Sequence, residues 1–175
     1  MRERSEILRE YERLALSEPL FAPAVLRYAN LVLDHGENPE EILPVLDRLG
    51  DGARRFTSHV LFRAKIGIRL RQFDGANVLL RDAVTRAPAN IDVLELIAHL
   101  GQRTGNVEQA IDSLRGILEI QPRNQDALFR AIELSANHKK CGVADEMLKR
   151  LSALPKPRGA LVDAANKQIQ RLCVK

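Results

Sequence analysis

His138 and Cys141 stand three residues apart, a spacing that would supply half of a zinc site. A closed zinc site takes four ligands, and no second pair with such spacing occurs in the sequence. The pair therefore reads as a turn histidine beside an inert cysteine. Cys141 and Cys173 are the only cysteines, and as two separate thiols they make neither a disulfide framework nor a metal pattern. That points to a reducing, cytoplasmic setting. His35 precedes Gly36 and reads as a helix end, where a cationic ring suits the helix dipole. Glu40 and Glu41 follow Pro39 directly, where acids stabilise a helix N-terminus without any acid–base role. The stretch from Gly50 to Arg55 is the nearest thing to a phosphate loop, but it lacks the Lys-Ser/Thr pair and reads as a turn. No G-x-S-x-G elbow is present. These patterns lead to the expectation of a chain without catalytic residues, metal or cofactor.

Elements that could position other functional groups must be helices. Hydrophobic residues make up 45% of the chain, enough for a continuous core, while aromatics are 4% with no Trp. That balance suits packed helices of Leu, Ala, Ile and Val rather than strands. Met1 to Ser17 is charged and lacks the apolar core of a signal peptide, and no apolar run reaches bilayer length, so membrane insertion is not expected. Charge is uneven. Residues 1–53 carry 6 Lys+Arg against 11 Asp+Glu, and residues 54–175 carry 21 against 12.

A period of 34 residues organises the chain. Pro88 and Pro122, Ala76 and Ala110, and Ala64 and Ala98 are each 34 apart. Between such landmarks the apolar residues recur at helical spacing. Leu94, Ile97, Ala98 and Leu100 form one stripe; Val107, Ala110, Ile111, Leu114, Ile117 and Leu118 form the next. Gly105, between them, is placed to end the first helix in the left-handed conformation. Pro122 cannot continue the second. Ala98 and Ala110 are the small residues that a close helix–helix contact needs.

This pattern resembles the tetratricopeptide repeat family, most closely over 91–122 through Leu94, Ile97, Ala98, Gly105, Ala110 and Pro122. Residues 57–88 match through Ala64, Ala76, Ala83 and Pro88, and depart at Arg63, where a large apolar residue is usual, and at Gly67, where an aromatic is usual. Residues 125–156 match through Leu128, Ala144 and Leu148, with Lys139 in place of the turn glycine. Residues 22–55 match through Ala29, Gly36, Ile42, Leu46 and Leu49. The expected fold is all-α, a right-handed α-α superhelix. It would span 1–175 as a single solenoid: an N-terminal helix or cap over 1–19, repeats at 22–55, 57–88, 91–122 and 125–156, and a capping helix over 158–173.

The resemblance implies that the first helix of each pair lines a concave, partner-binding face. Arg27 and Asn30, then Lys65 and Arg69, then Asp92, Glu95, His99 and Arg103, then Phe129, Glu133 and Asn137 stand at the corresponding places. Gln102 and Asp126 share those stripes, and Asp163 and Lys167 are the places on the terminal helix. Some family members grip a C-terminal carboxylate with Lys, Asn and Arg; Arg27, Asn30 and Lys65 are the nearest candidates but do not line up with that clamp. From Gly52 to Phe73 the chain holds Arg54, Arg55, Arg63, Lys65, Arg69 and Arg71 with no acid, a stretch suited to an acidic partner.

The function expected is that of a non-catalytic protein–protein interaction scaffold whose partner is another protein or peptide. Self-association through a repeat edge is a further expectation. One alternative is a docking or regulatory repeat domain of a larger enzyme, such as a glycosyl- or sulfotransferase. The other is a basic nucleic-acid-binding module, against which stands the scarcity of aromatic stacking groups.

Overall fold

The computed structural model describes residues 22–35, 42–49 and 56–174, together with residues 6, 9–11, 13, 14 and 40. Most of the expected N-terminal helix over 1–19 lies outside the described residues. So do Gly36, Pro39, Glu41 and the turn from Gly50 to Arg55, with Arg54 and Arg55.

Packing groups the chain into two units, Met1–Arg86 and Ala87–Lys175. The first contains α1 (Ala22–His35), α2 (Ile42–Asp47), α3 (Thr57–Arg69) and α4 (Phe73–Arg86); the second contains α5 (Ile91–Thr104), α6 (Val107–Ile120), α7 (Gln125–Asn137), α8 (Cys141–Ser152) and α9 (Gly159–Cys173). Among the described residues there is no strand, and no helix is long and apolar enough to cross a membrane.

Helix pairs are joined by one recurring turn. Arg71 (φ 61°), Gly105 (φ 76°) and Lys139 (φ 58°), 34 residues apart in series, all take the left-handed conformation. Gly105 takes it freely, while a residue with a Cβ pays roughly 1–2 kcal/mol. The flanking bonds help to hold Arg71 and Lys139 there. Gln72 N donates to Gly67 O and Lys140 N to Ser135 O, each at 2.8 Å, which closes the same C-terminal turn on α3 and on α7.

The connections that follow α4 and α6 are equally alike. Asn90 N donates to Ala87 O at 3.1 Å and Asn124 N to Gln121 O at 3.0 Å, turns that hold Pro88 and Pro122 at their second positions. Each asparagine then caps the next helix: its side chain accepts from Val93 N and Ala127 N respectively. Asn106 does the same for α6 through Gln109 N.

The close contacts fall where the small residues are. Ala98 and Ala110 are fully buried, as are Ala64 and Ala144, with Ala76 nearly so. A Cβ on Gly101 would lie 2.7 Å from Asn106 O and 3.0 Å from both the Cβ and N of Ala110. One period earlier, a Cβ on Gly67 would meet the Ala76 Cβ at 3.4 Å. One period later the place is taken by Ser135, fully buried. Gly67 is thus not a defect of the repeat, because a small residue at this place lets the paired helices approach. In the first unit a separate apolar cluster joins Val25, Tyr28, Val32, Ile42 and Leu46 to Phe62 and Ile66 of α3.

Cys141 and Cys173 do not stand apart as two thiols. They form a disulfide, with Cα atoms 5.6 Å apart, that ties the first residue of α8 to the last of α9. The pairing corrects the sequence expectation and removes the ground for a reducing compartment. It was hidden because the chain between these cysteines, 32 positions apart, folds as a helix and its return, which brings the two ends together.

Substituting Gly101→Ala should lower stability by about 1–3 kcal/mol despite alanine's better helix propensity, because the new methyl meets a backbone carbonyl. Gly142→Ala, where a Cβ meets nothing within 4 Å, should be neutral or stabilising by up to about 1 kcal/mol. Urea midpoints of the two variants check this; equal midpoints would place the close helix contact elsewhere.

Candidate partner-binding face

In the second unit the apolar stripe of α5 buries Val93, Leu94, Leu96, Ile97, Ala98 and Leu100 together with Gly101. The remaining side lies at helical spacing: Asp92, Glu95, His99, Gln102 and Arg103. Asp92, His99, Gln102 and Arg103 are exposed and Glu95 is half-buried. On α7 the corresponding side carries Phe129, Arg130 and Glu133, all half-buried, and the exposed Asn137.

Arg130 joins the two helices. Its guanidinium donates to the Glu95 carboxylate, and both side chains are only about one-third exposed (32% and 35%). Beside this pair, Gln102, Arg130, Glu133, Leu134 and Asn137 line a recess of about 240 Å³. That falls below the ~300–1,000 Å³ of small-molecule sites, and suits an inserted side chain better than a metabolite. The polar face continues to the terminal helix, where Gln168 Nε2 donates to Asn137 Oδ1 at 3.0 Å.

His99 lies in this cationic setting. Partial burial lowers its pKa below the usual histidine value although the residue's outer side is exposed, and the positive charges of Arg103 and Arg130 add to the effect.

Other expected positions are occupied differently. Asp126 is taken up by an ion pair with Arg158 at 2.6 Å, at the start of α9. Asp163 and Lys167 are exposed on α9, whereas Gln168 is the residue of that helix that reaches α7. Neither Arg130 nor Gln168 stood out in the sequence. Arg130 does follow Asp126 by four residues and precede Glu133 by three, which sets it on the same helical side.

In the first unit Arg27 is exposed and Asn30 half-buried on α1, and Lys65 and Arg69 are exposed on α3. The Lys65 ammonium lies 5.5 Å from the centroid of the Phe62 ring, a cation–π contact. Arg63 departs from the rest of the basic stretch. It is half-buried, pairs with Asp47, the last residue of α2, and donates through Nε to His59 Nε2 at 3.4 Å. A charged residue at a place where the repeat usually has an apolar one is thereby accommodated by a carboxylate of the preceding helix. Among the described residues no carboxylate pairs with Lys65, Arg69 or Arg71.

By sequence, no family model and no curated protein matches the chain. By structure the likeness is extensive. A tetratricopeptide repeat protein from Parabacteroides merdae superposes with a TM-score of 0.69 at 17% identity, over 85% of this chain and 58% of its own. The chain has a tetratricopeptide repeat fold. MamA from Desulfovibrio magneticus RS-1, from residue 41 to its end, superposes with a TM-score of 0.68 at 12% identity, over 94% of this chain and 87% of its own. A further MamA crystal structure gives 0.67 at 14% identity, over 96% and 90%. At these identities the likeness concerns the all-α repeat solenoid alone, and the tetratricopeptide pattern of Leu94, Ala98, Gly105 and Ala110 is the part of it visible in sequence.

Because the shift is downward, folding favours neutral His99. That contribution is present above the unfolded-state value of about 6.5 and is lost as pH falls through the folded value. An NMR titration of the imidazole should give a midpoint below that of the unfolded chain, and Arg103→Gln should move it back upward. A midpoint unmoved by the substitution would separate His99 from Arg103.

Proposed function

We propose that the chain is a non-catalytic protein-interaction scaffold, and that the α5–α7–α9 side of the unit Ala87–Lys175 holds a segment of a partner protein. The observation that carries this reading is the recess beside the Arg130–Glu95 pair. It is sized for a side chain and rimmed by two amides, a carboxylate and a guanidinium, and it lies between helices that the fold holds in fixed register.

The charges there alternate rather than accumulate. Glu95 neutralises Arg130, leaving Arg103 and Glu133 on adjacent first helices as charges of opposite sign. Such a face favours a mixed-charge peptide over a uniform polyanion, since like-charge juxtaposition costs affinity and complementary charge sets register. The amides of Gln102 and Asn137 can donate to or accept from a peptide backbone without regard to its side chains. In the first unit, Lys65 and Arg69, with Arg27 and Asn30, offer a second contact region whose charge suits an acidic segment. The partner proposed is therefore a protein or peptide, and no metal or cofactor enters its binding.

Reversing charge at Arg103 and Glu133 together (Arg103→Glu with Glu133→Arg) should weaken a partner obtained by affinity capture by tenfold or more, about 1.4 kcal/mol, with the melting temperature little changed. Reversing Glu119 and Asp145, exposed on α6 and α8, should change affinity by less than about 0.5 kcal/mol. Isothermal titration on both variants decides. If the second pair abolished binding and the first did not, the partner would lie against the second helices of the repeats.

A further inference from the structure

Helix α9 is held to its unit by less apolar packing than the helices before it. Its buried residues are Ala165 and Ile169; α8 buries Ala144, Met147 and Leu151, and α5, α6 and α7 each bury seven residues. Leu161, Val162 and Leu172 are half-buried, and its outer side, with Asp163, Asn166, Lys167, Gln170 and Arg171, is exposed and polar. It packs against α7 and α8, where a further repeat would otherwise stand.

The polar ties are peripheral. Arg158 N donates to Gln125 Oε1 at 2.7 Å, and its guanidinium pairs with Asp126 at one end of the helix. Lys139 Nζ donates to Leu172 O at 2.5 Å near the other, and Gln168 meets Asn137 between them. Apart from the half-buried Gln125 and Gln168 and the Leu172 carbonyl, these groups belong to exposed residues. Contacts of that kind hold a helix only weakly against solvent. The covalent tie is different. Cys141 and Cys173 join the start of α8 to the end of α9, both partly exposed and so within reach of a reductant.

We propose that the Cys141–Cys173 disulfide is a redox latch: oxidised, it holds α9 against α7 and α8, and reduced, it lets α9 leave the unit and uncover the apolar surface beneath. The reductant is a dithiol. Its first thiolate attacks one cysteine sulfur, forming a mixed disulfide and releasing the other cysteine as thiolate. Its second thiolate then displaces the remaining cysteine, so the reductant leaves as a disulfide. Two electrons pass to the protein sulfurs, and two protons complete the Cys141 and Cys173 thiols. The linked ends are 32 residues apart, and breaking the link restores the chain freedom that the closed loop withholds. Release of α9 also removes Gln168 from Asn137. That consequence for partner binding rests on the function proposed above, while the latch itself does not.

Hydrogen–deuterium exchange by mass spectrometry on the full chain, oxidised and after treatment with dithiothreitol, tests the latch. Amides of α9 are expected to exchange tenfold faster or more on reduction, with α5 and α6 unchanged. Cys173→Ser should reproduce the reduced pattern without reductant, and reoxidation of the native chain should restore protection. Equal protection of α9 in both states would overturn the latch. So would loss of protection throughout α5–α8, which would make the bond a staple of the whole unit, or free thiols persisting after oxidation with a disulfide such as oxidised glutathione.

Discussion

The geometry of the candidate face depends on how closely α5 and α6 approach at Gly101. The room there is so limited that a single methyl group would collide with the Asn106 carbonyl. Because the helices meet so closely, Ala98 and Ala110 are sealed completely, and the apolar stripe of α5 is buried. The side left over can then be polar. Equivalent places hold Gly67 against Ala76, and Ser135 one period later. A residue with a large side chain at any of them would push the pair apart and, with it, the stripe that carries His99, Arg103 or Asn137.

Within the second unit, the ties between successive repeats share nearly one sequence separation. Arg130 reaches Glu95 across 35 residues, Lys140 reaches Glu108 across 32, Arg115 reaches Glu146 across 31, and the disulfide spans 32. Each repeat is thereby coupled to its neighbour, the arrangement that gives solenoids their near one-dimensional stability. Surface ion pairs add little individually. Arg130–Glu95 differs because it is two-thirds covered and borders a recess, so the same contact that joins repeats also shapes a place for a partner.

Much of the fold was legible because the repeat enforces itself at small residues and turns. Ala98, Ala110, Gly105 and Pro122 read correctly from their spacing, since close packing and a left-handed turn tolerate few alternatives. Gly67 does depart from the family's usual aromatic, and so do Gly101 and Ser135 at the equivalent places; what the sequence did not show is that small residues there let the paired helices approach. Arg63 stood out as a charge where a large apolar residue is usual, but what accommodates it depends on Asp47, which only the packing of the first unit brings near. The cysteine pairing was not legible, because it follows from the direction of two helices rather than from a motif. On the candidate face, the α5 side was visible in the pattern that avoids the apolar stripe. Arg130 was not, because a residue that pairs across helices looks like any exposed charge until its partner is placed.

Backbone amide chemical-shift mapping during titration with a partner segment tests the central claim most directly. Binding against the first helices predicts the largest shifts on α5 and α7, around His99, Arg103, Arg130, Glu133 and Asn137, with α6 and α8 little affected. Shifts concentrated on α6 and α8, with the Arg130–Glu95 region unmoved, would contradict it.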